Sequence, residues 1–377
     1  MKIVMVVSTL VGRGGAERVV SVLSQYLSQT HQVVVAAFQV GEPSYSYGGD
    51  VVEIGFPAAR QAWKKGSHAL ARVAALARLF ARERPDRIFS FMESANFPSV
   101  IAASLVGMRE RVSVCVQDNP AGFPASYRRL IPRLYPLAGR VVAVSEGVRK
   151  TLTRDFGLDP ARCVTIPNTI DLEAIEAALA ATRVGFVPPA DQYLLGMGRL
   201  VDQKGFDLAI AAYARLSSEA PPLIILGEGP DRTTLEARVE AEGLSGRVRF
   251  PGAVANPYPY LAGACCFVLS SRHEGWPLVL MEAMACGCPI ISFACDHGPA
   301  EILEHGRSGW LVTPGDVEGL ASAMERLLGD EALRRELAAG ALDRVKRFDV
   351  ERISRVWLSQ DRDSRAPGDQ GNRMEEG

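Results

Sequence analysis

The sequence predicts an α/β protein made of two tandem doubly wound domains, each a parallel sheet flanked by helices. Short apolar runs alternate with helical patterns from end to end, which is the mark of βαβ units. The alternation breaks once, at residues 182–190 (TRVGFVPPA), and then restarts. At 377 residues the chain also exceeds what one hydrophobic core usually serves.

In the first half, the runs at 2–8, 32–38, 87–91, 111–116 and 140–144 are expected as strands, with helical patterns between them. The Gly/Pro-bearing stretch 182–190 reads as a linker, giving an N-terminal domain over 1–185 and a C-terminal domain over 186–360 whose last helix crosses back to the first. In the second half, strands are expected at 193–197, 223–226, 248–250, 266–269 and 289–292. Residues 361–377 are polar and nearly devoid of apolar groups, so they read as a disordered tail. No short-period repeat stands out. Two such domains place a ligand between them, at the C-terminal ends of strands.

Bulk properties narrow the function. A 47% hydrophobic share is ordinary for a globular chain, and no apolar run approaches the roughly 18 residues of a membrane helix. Residues 2–8 run straight into a glycine-rich loop, so they read as a first strand and not a signal peptide. Seven cysteines without a framework of spacings point to a reducing compartment, and Cys286-x-Cys288 lacks a second pair for zinc. A cytoplasmic protein is expected. Residues 1–185 carry 22 Lys/Arg against 15 Asp/Glu, and the remainder 20 against 28. That asymmetry suggests an anionic partner for the first half. Nucleic acid is not expected, because no helix-turn-helix, zinc or aromatic-basic signature is present.

The densest chemistry lies in residues 271–287, SRHEGWPLVLMEAMACG. An apolar strand pattern ends just before it, and Leu278, Met281, Met284 and Ala285 recur at helical spacing after it. Pro277 suits a first helical turn. Glu274 therefore sits between strand and helix, and Glu282 about one and a half turns in. A helix start offers unpaired N–H groups to a phosphate, and the two carboxylates can accept hydroxyl hydrogen bonds. Taken alone, the two glutamates are equally well helix-start and helix-surface residues.

Glu274-x7-Glu282 in this setting resembles the retaining GT-B glycosyltransferases of family 4, and the resemblance extends over residues 1–360. It implies the GT-B fold, two Rossmann-like domains facing a cleft. It also implies transfer of a hexose or N-acetylhexosamine from a nucleotide-diphosphate sugar, with UDP favoured, to a glycan acceptor that is lipid-linked. Gly198-Arg199-Leu200 and Lys204-Gly205 match the family element that binds the donor pyrophosphate, so the resemblance implies that role for Arg199 and Lys204, which with Glu274 make up the catalytic set. Gly227-Glu228-Gly229-Pro230 resembles the loop beside the nucleoside. Donor binding is accordingly implied for Gly14, Gly15, Gly198, Gly227, Gly229, Gly275, Trp276, Pro277, Leu278 and Glu282.

The segment Gly12–Arg18 resembles the family's G-G-A-E loop, with Glu17 as a candidate for acceptor hydroxyls. Gln117, Asp118 and Asn119 stand where many members carry a histidine that touches the donor sugar. This departure resembles the subgroup with Asn-Pro after the strand, which builds bacterial lipid-linked and surface oligosaccharides. Asp171 is expected to cap a helix. No metal and no cofactor are expected, since the single D-x-D, Asp361-Arg-Asp363, lies in the polar tail. The basic runs at 63–84 and 127–135 leave two readings open: helices lying on an anionic membrane surface at the inner face of the cell membrane, or core-facing helices with a solvated basic side. Two other functions fit the same fold, a sugar-nucleotide epimerase and a non-catalytic nucleotide-sugar-binding regulator.

Overall fold

The computed structural model describes residues 1–12, 14–41, 45–56, 62–182, 188 and 190–359. The expected linker falls largely outside the described residues. So do the 361–377 tail with its D-x-D, Arg13, and the side chains of Lys64 and Lys65.

The chain forms two compact units. One is Met1–Thr169 together with the chain from Val350 on, and the other is Ile170–Asp349. The first holds seven strands: β1 (Lys2–Val7), β2 (Gln32–Ala37), β3 (Asp50–Glu53), β4 (Arg87–Phe91), β5 (Val112–Val116), β6 (Arg140–Ala143) and β7 (Cys163–Thr165). Their order is β3-β2-β1-β4-β5-β6-β7, with every pairing parallel. The second holds β8 (Leu194–Met197), β9 (Leu223–Leu226), β10 (Val248–Gly252), β11 (Cys266–Leu269), β12 (Ile290–Phe293) and β13 (Trp310–Val312). Here the order is β10-β9-β8-β11-β12-β13, again all parallel.

Each sheet is doubly wound about one switch point, between β1 and β4 in the first unit and between β8 and β11 in the second. Central strands are apolar on both faces because helices cover both: Ile3, Val4, Met5 and Val6 are fully buried, as are Cys266 and Phe267. Three strands add to the ten expected ones. β3 (Asp-Val-Val-Glu), β7 and β13 are short and lie at sheet edges, where one face or both ends are polar.

The units part at residue 169, earlier than the expected 185. The helix Leu172–Thr182 belongs to the second unit, where Asn256 Nδ2 donates to Ala178 O at 3.1 Å. Its N-terminus is capped by Asp171 Oδ1, which accepts from Ala174 N at 2.8 Å. The last helix, Val350–Leu358, packs in the first unit. Trp357 lies against Phe89 and Phe91 (ring centroids 4.8 and 5.5 Å), and Arg140 Nη2 donates to Trp357 O at 3.0 Å.

The basic helix Ala62–Glu83 buries Leu76, Leu79 and Phe80, and Arg72 lies 4.3 Å over the Phe38 ring. That stretch is thus a core-facing helix with a solvated side, although Leu70 stays exposed. Helix Ala125–Leu134 is different: Arg128, Arg129, Leu130 and Arg133 are exposed and only Ile131 is buried. No helix among the described residues is long and apolar enough to cross a membrane.

Candidate active site

In an open α/β sheet, ligands bind outside the carboxyl ends of the strands at the switch point. In the second unit that point lies beyond Met197 of β8 and Leu269 of β11. The residues following these strands form one cluster.

Asp202–Lys204 makes a tight turn closed by Gly205 in the left-handed region (φ 61°), which leads into helix Phe206–Tyr213. A Cβ on Gly205 would stand 2.1 Å from Ser270 O, so only glycine lets this turn lie against the end of β11. The turn is stitched to the 270–274 loop. Arg272 N donates to Gln203 O (2.8 Å), Gln203 Nε2 to His273 O (3.1 Å) and Ser270 Oγ to Lys204 O (3.1 Å). Arg272 in turn forks onto both Asp207 oxygens at 2.8 and 2.7 Å.

This stitching presses Lys204 against Glu274. Lys204 Nζ donates to Glu274 Oε1 at 2.6 Å, and Ser271 Oγ donates to the same oxygen at 2.7 Å. Glu274 is buried, and its Oε2 has no partner among the described residues. One oxygen is thus fixed by two donors while the other keeps its acceptor capacity. Burial first, then the Glu274 charge, pushes the nearby Cys295 thiol up to about 12.

The loop after β8 is also laced to the loop after β9: Leu200 N donates to Glu228 O (2.9 Å) and Asp231 N to Leu200 O (3.1 Å). Gly227 has φ 138°, and a Cβ there would meet Gly198 O at 1.8 Å. Arg199 is exposed, and its side chain has no hydrogen bond or ion pair among the described residues. The two expected phosphate-binding cations therefore differ: Lys204 is paired and Arg199 is free. Glu228 is an exposed partner of Arg232 at 3.1 Å.

The helix after β11 is Leu278–Ala285, so Pro277 stands at its N-cap (φ −70°, ψ 104°) and not in its first turn as expected. Trp276 is buried, donates from Nε1 to Met281 Sδ at 3.3 Å and meets Phe348 edge-on at 5.3 Å. Its ring is therefore spent on packing. Glu282 is buried one turn into this helix. Among the described residues no group of three or more His, Cys, Asp or Glu could hold a metal ion.

The first unit holds the other candidates. Helix Gly15–Ser28 follows β1 with Gly14 at its N-cap, which makes Glu17 its third residue, the position from which a carboxylate reaches back over the helix start. It does so here: a Cβ on Gly14 would lie 2.1 Å from Glu17 Oε2. The helix start expected to face a donor phosphate is covered by a carboxylate. Gln117 Oε1 accepts from Asn168 Nδ2 (2.9 Å) and its Nε2 donates to Cys115 Sγ (3.0 Å). Asp118 accepts from Asn119 N (2.8 Å) and Asn119 from Ala121 N (3.0 Å). Of the expected acceptor residues beside Glu17, Asp118 and Asn119 spend side-chain oxygens on shaping their own loop, and Gln117 ties that loop to Asn168 and Cys115.

A group that sequence reasoning passed over sits at this unit's switch point. Glu93 follows β4, starts helix Glu93–Leu105, and comes after Met92 at φ 70°, a left-handed conformation rare for a long side chain. Glu93 is buried, and Tyr135 donates to its Oε1 at 3.2 Å while accepting from Asn96 Nδ2 at 3.1 Å. Burial raises its carboxyl to about 7, with the Asp118 charge adding to the rise. Ser8, at the end of β1, is hydrogen-bonded to Ser94. A carboxylate directly after a strand was the one signal available.

Comparison with known proteins decides the family. The model of Glycosyltransferase Family 4 matches residues 13–174, and that of Glycosyl transferases group 1 matches 183–344. An N-acetylgalactosamine-N,N'-diacetylbacillosaminyl-diphospho-undecaprenol 4-alpha-N-acetylgalactosaminyltransferase of Campylobacter jejuni is 30% identical over 281 residues, covering 72% of this chain and 75% of that protein. The chain belongs to the family 4 glycosyltransferases. This glycosyltransferase is also 25% identical over 358 residues to the amylovoran biosynthesis glycosyltransferase AmsD of Erwinia amylovora, covering 94% of this chain and 98% of that one. Its fold is GT-B, as in the structure of Anabaena HepE in complex with UDP-glucose, with a TM-score of 0.79, 22% identity and coverage of 94% and 98%.

Proposed function

We propose that this glycosyltransferase moves a hexose or N-acetylhexosamine from a UDP-sugar to a lipid-linked glycan acceptor, with retention at the anomeric carbon and without a metal ion, in surface-glycan biosynthesis. The observation that carries the reading is the Lys204–Glu274–Ser271 cluster at the switch point of the second sheet. The UDP-glucose complex of HepE favours a UDP donor, and the diphospho-undecaprenol in the Campylobacter enzyme's name favours a lipid-linked acceptor.

In this reading Arg199 and the remaining N–H groups of Lys204 offset the charge that grows on the diphosphate as the anomeric C–O bond breaks. The acceptor oxygen bonds to the same face of that carbon, and its proton passes to the departing phosphate oxygen. Glu274 Oε2 holds a donor-sugar hydroxyl, and Glu282 holds the ribose. The glycines at 198, 227, 229 and 275 let backbone approach the donor beside Pro277 and Leu278. Donor contact at Gly14 and Gly15 requires the Glu17 carboxylate to swing off the helix start. If Glu17 instead stays, it is placed to meet acceptor hydroxyls.

Docking on an anionic membrane at the cytoplasmic face belongs to the same reading. Helix Ala125–Leu134 supports it, with Arg128, Arg129 and Arg133 exposed beside Leu130, and with Leu137 exposed just beyond. Co-sedimentation with phosphatidylglycerol vesicles should fall when the three arginines become glutamine; equal sedimentation removes the helix from the account.

The deciding experiment is thermal shift with UDP, GDP and ADP, in excess chelator and again with added magnesium, on wild type and Arg199→Ala/Lys204→Ala. Stabilisation by UDP alone, absent in the variant, supports the site. Stabilisation that needs a divalent ion overturns the metal-free part, and none from any nucleotide overturns the donor assignment.

A further inference from the structure

Four strands of the first sheet open on an arginine. Arg87 begins β4, Arg140 begins β6, and Arg111 and Arg162 immediately precede β5 and β7. The strands are neighbours in the order β4-β5-β6-β7, with Arg140 opposite Ser113 in register. The four guanidinium groups therefore collect at the amino ends of the strands. They line a cavity of about 290 Å³ together with Ser113 and Glu110. This is the end of the sheet opposite the switch point, so the cavity is distinct from the crevice where the reaction's substrates are expected.

Among the described residues none of these four arginines forms an ion pair, although the Glu110 carboxylate lines the same cavity. Arg111 Nη1 donates to Pro85 O (2.8 Å), Arg162 Nη1 to Ala138 O (3.0 Å) and Pro136 O (3.3 Å), and Arg87 Nη1 to Asp86 O (3.1 Å). Arg140 donates to Trp357 O and Ser359 O, and from Nε to Ser113 Oγ at 3.4 Å. Carbonyl and hydroxyl partners occupy a few N–H groups but supply no countercharge. None of the four pairs with a carboxylate among the described residues, and Glu110 lies 3.5 Å from Arg109. Burial, with the Arg87 charge adding to it, pushes Arg140 down to about 10. A half-buried guanidinium crowded by others is stabilised by whatever brings negative charge into reach.

We propose that Arg87, Arg111, Arg140 and Arg162 form a binding site for a phosphoryl group. Planar forks with unused N–H pairs match phosphate oxygens bidentately. The cavity falls at or below the roughly 300–1,000 Å³ of pockets that enclose drug-sized ligands, so it suits a phosphate or diphosphate and not a whole nucleotide sugar. Because Arg140 also holds the end of helix Val350–Leu358, an anion here bears on a helix packed in this unit.

The test uses the full chain carrying Arg199→Ala/Lys204→Ala, so that the donor site does not contribute. Inorganic phosphate and pyrophosphate are titrated by calorimetry, and vesicles containing phosphatidic acid are tested by sedimentation, with and without Arg87→Gln/Arg162→Gln. Those two side chains hold only nearby carbonyls, so the variant is expected to fold with an unchanged melting temperature. Arg140→Lys, which keeps the charge and loses the fork, is measured beside it. Binding that weakens about tenfold or more in Arg87→Gln/Arg162→Gln supports the site. Loss with the soluble anions identifies a free phosphate ligand, and loss with vesicles alone identifies a lipid headgroup. Affinity unchanged by the substitutions, or no binding of any probe, overturns it.

Discussion

Lys204 Nζ lies 2.6 Å from Glu274 Oε1, with side-chain exposures of only 15% and 7%, and Ser271 Oγ completes the oxygen's shell at 2.7 Å. A pair this buried costs desolvation to form, and it costs more to break from one side. Lys204→Ala is expected to lose about 3 kcal/mol of stability, because the carboxylate stays buried with one hydroxyl partner. In Lys204→Ala/Glu274→Ala the loss should be clearly smaller than the sum of the singles. Denaturant unfolding of the four proteins gives the coupling; strict additivity means the pair is not coupled.

Arg199 offers the contrast, since it is exposed and unpaired among the described residues. Arg199→Ala should leave stability within about 0.5 kcal/mol of wild type. Nucleotide-diphosphate affinity should fall by about tenfold or more, as expected for one charge-assisted contact. A variant with full affinity for UDP removes Arg199 from the donor site.

Gly205 sets the geometry of the Lys204–Glu274 contact through φ 61° and its approach to Ser270 O. Gly205→Ala brings a Cβ against backbone that cannot yield without moving the end of β11. The expected loss is about 2 kcal/mol or more, combining left-handed strain with the clash. Turnover should fall with it, because the turn carries Lys204. Wild-type melting temperature in this variant would contradict the placement of the turn.

What the sequence shows of this molecule follows what burial demands. Strands covered on both faces, such as β1 and β11, need uninterrupted apolar residues and so are visible as runs. β3 carries two valines between Asp50 and Glu53, and β13 has three residues, so neither makes a run. Glu274 and Lys204 are visible through the family pattern. Their direct bond is not, because it depends on Gly205 adopting one backbone conformation among several open to glycine. Glu17 shows a related limit: a carboxylate near a glycine-rich turn is equally a ligand group or the helix's own cap, and only its folded position separates the two. Glu93 was missed because an acid after a strand reads as an ordinary helix-start residue. Its burial under Tyr135 is a tertiary fact.

Glu93 carries a pH signature of its own. Its folded carboxyl is raised to about 7 from an ordinary value near 4.5. The groups facing it are the Tyr135 and Tyr127 hydroxyls, the Asp118 carboxylate and the Cys115 thiol, and the cations near these neighbours are Arg140 at Cys115 and Arg72 at Tyr127. A raised acid binds its proton more tightly in the folded state. Its contribution is therefore complete below pH 4.5 and is lost as pH rises through 7. Between pH 5 and 8 the wild type should lose on the order of 2–3 kcal/mol relative to Glu93→Gln, which keeps an acceptor for Tyr135 and cannot ionise. The depressed carboxyls of Glu83, Glu146 and Asp207 act in the opposite sense at lower pH and cancel in that difference. Denaturant unfolding of both proteins at pH 5, 6, 7 and 8 measures it. A difference that stays flat across the range means Glu93 ionises normally, and a difference of the opposite sign means a cation reaches it in solution.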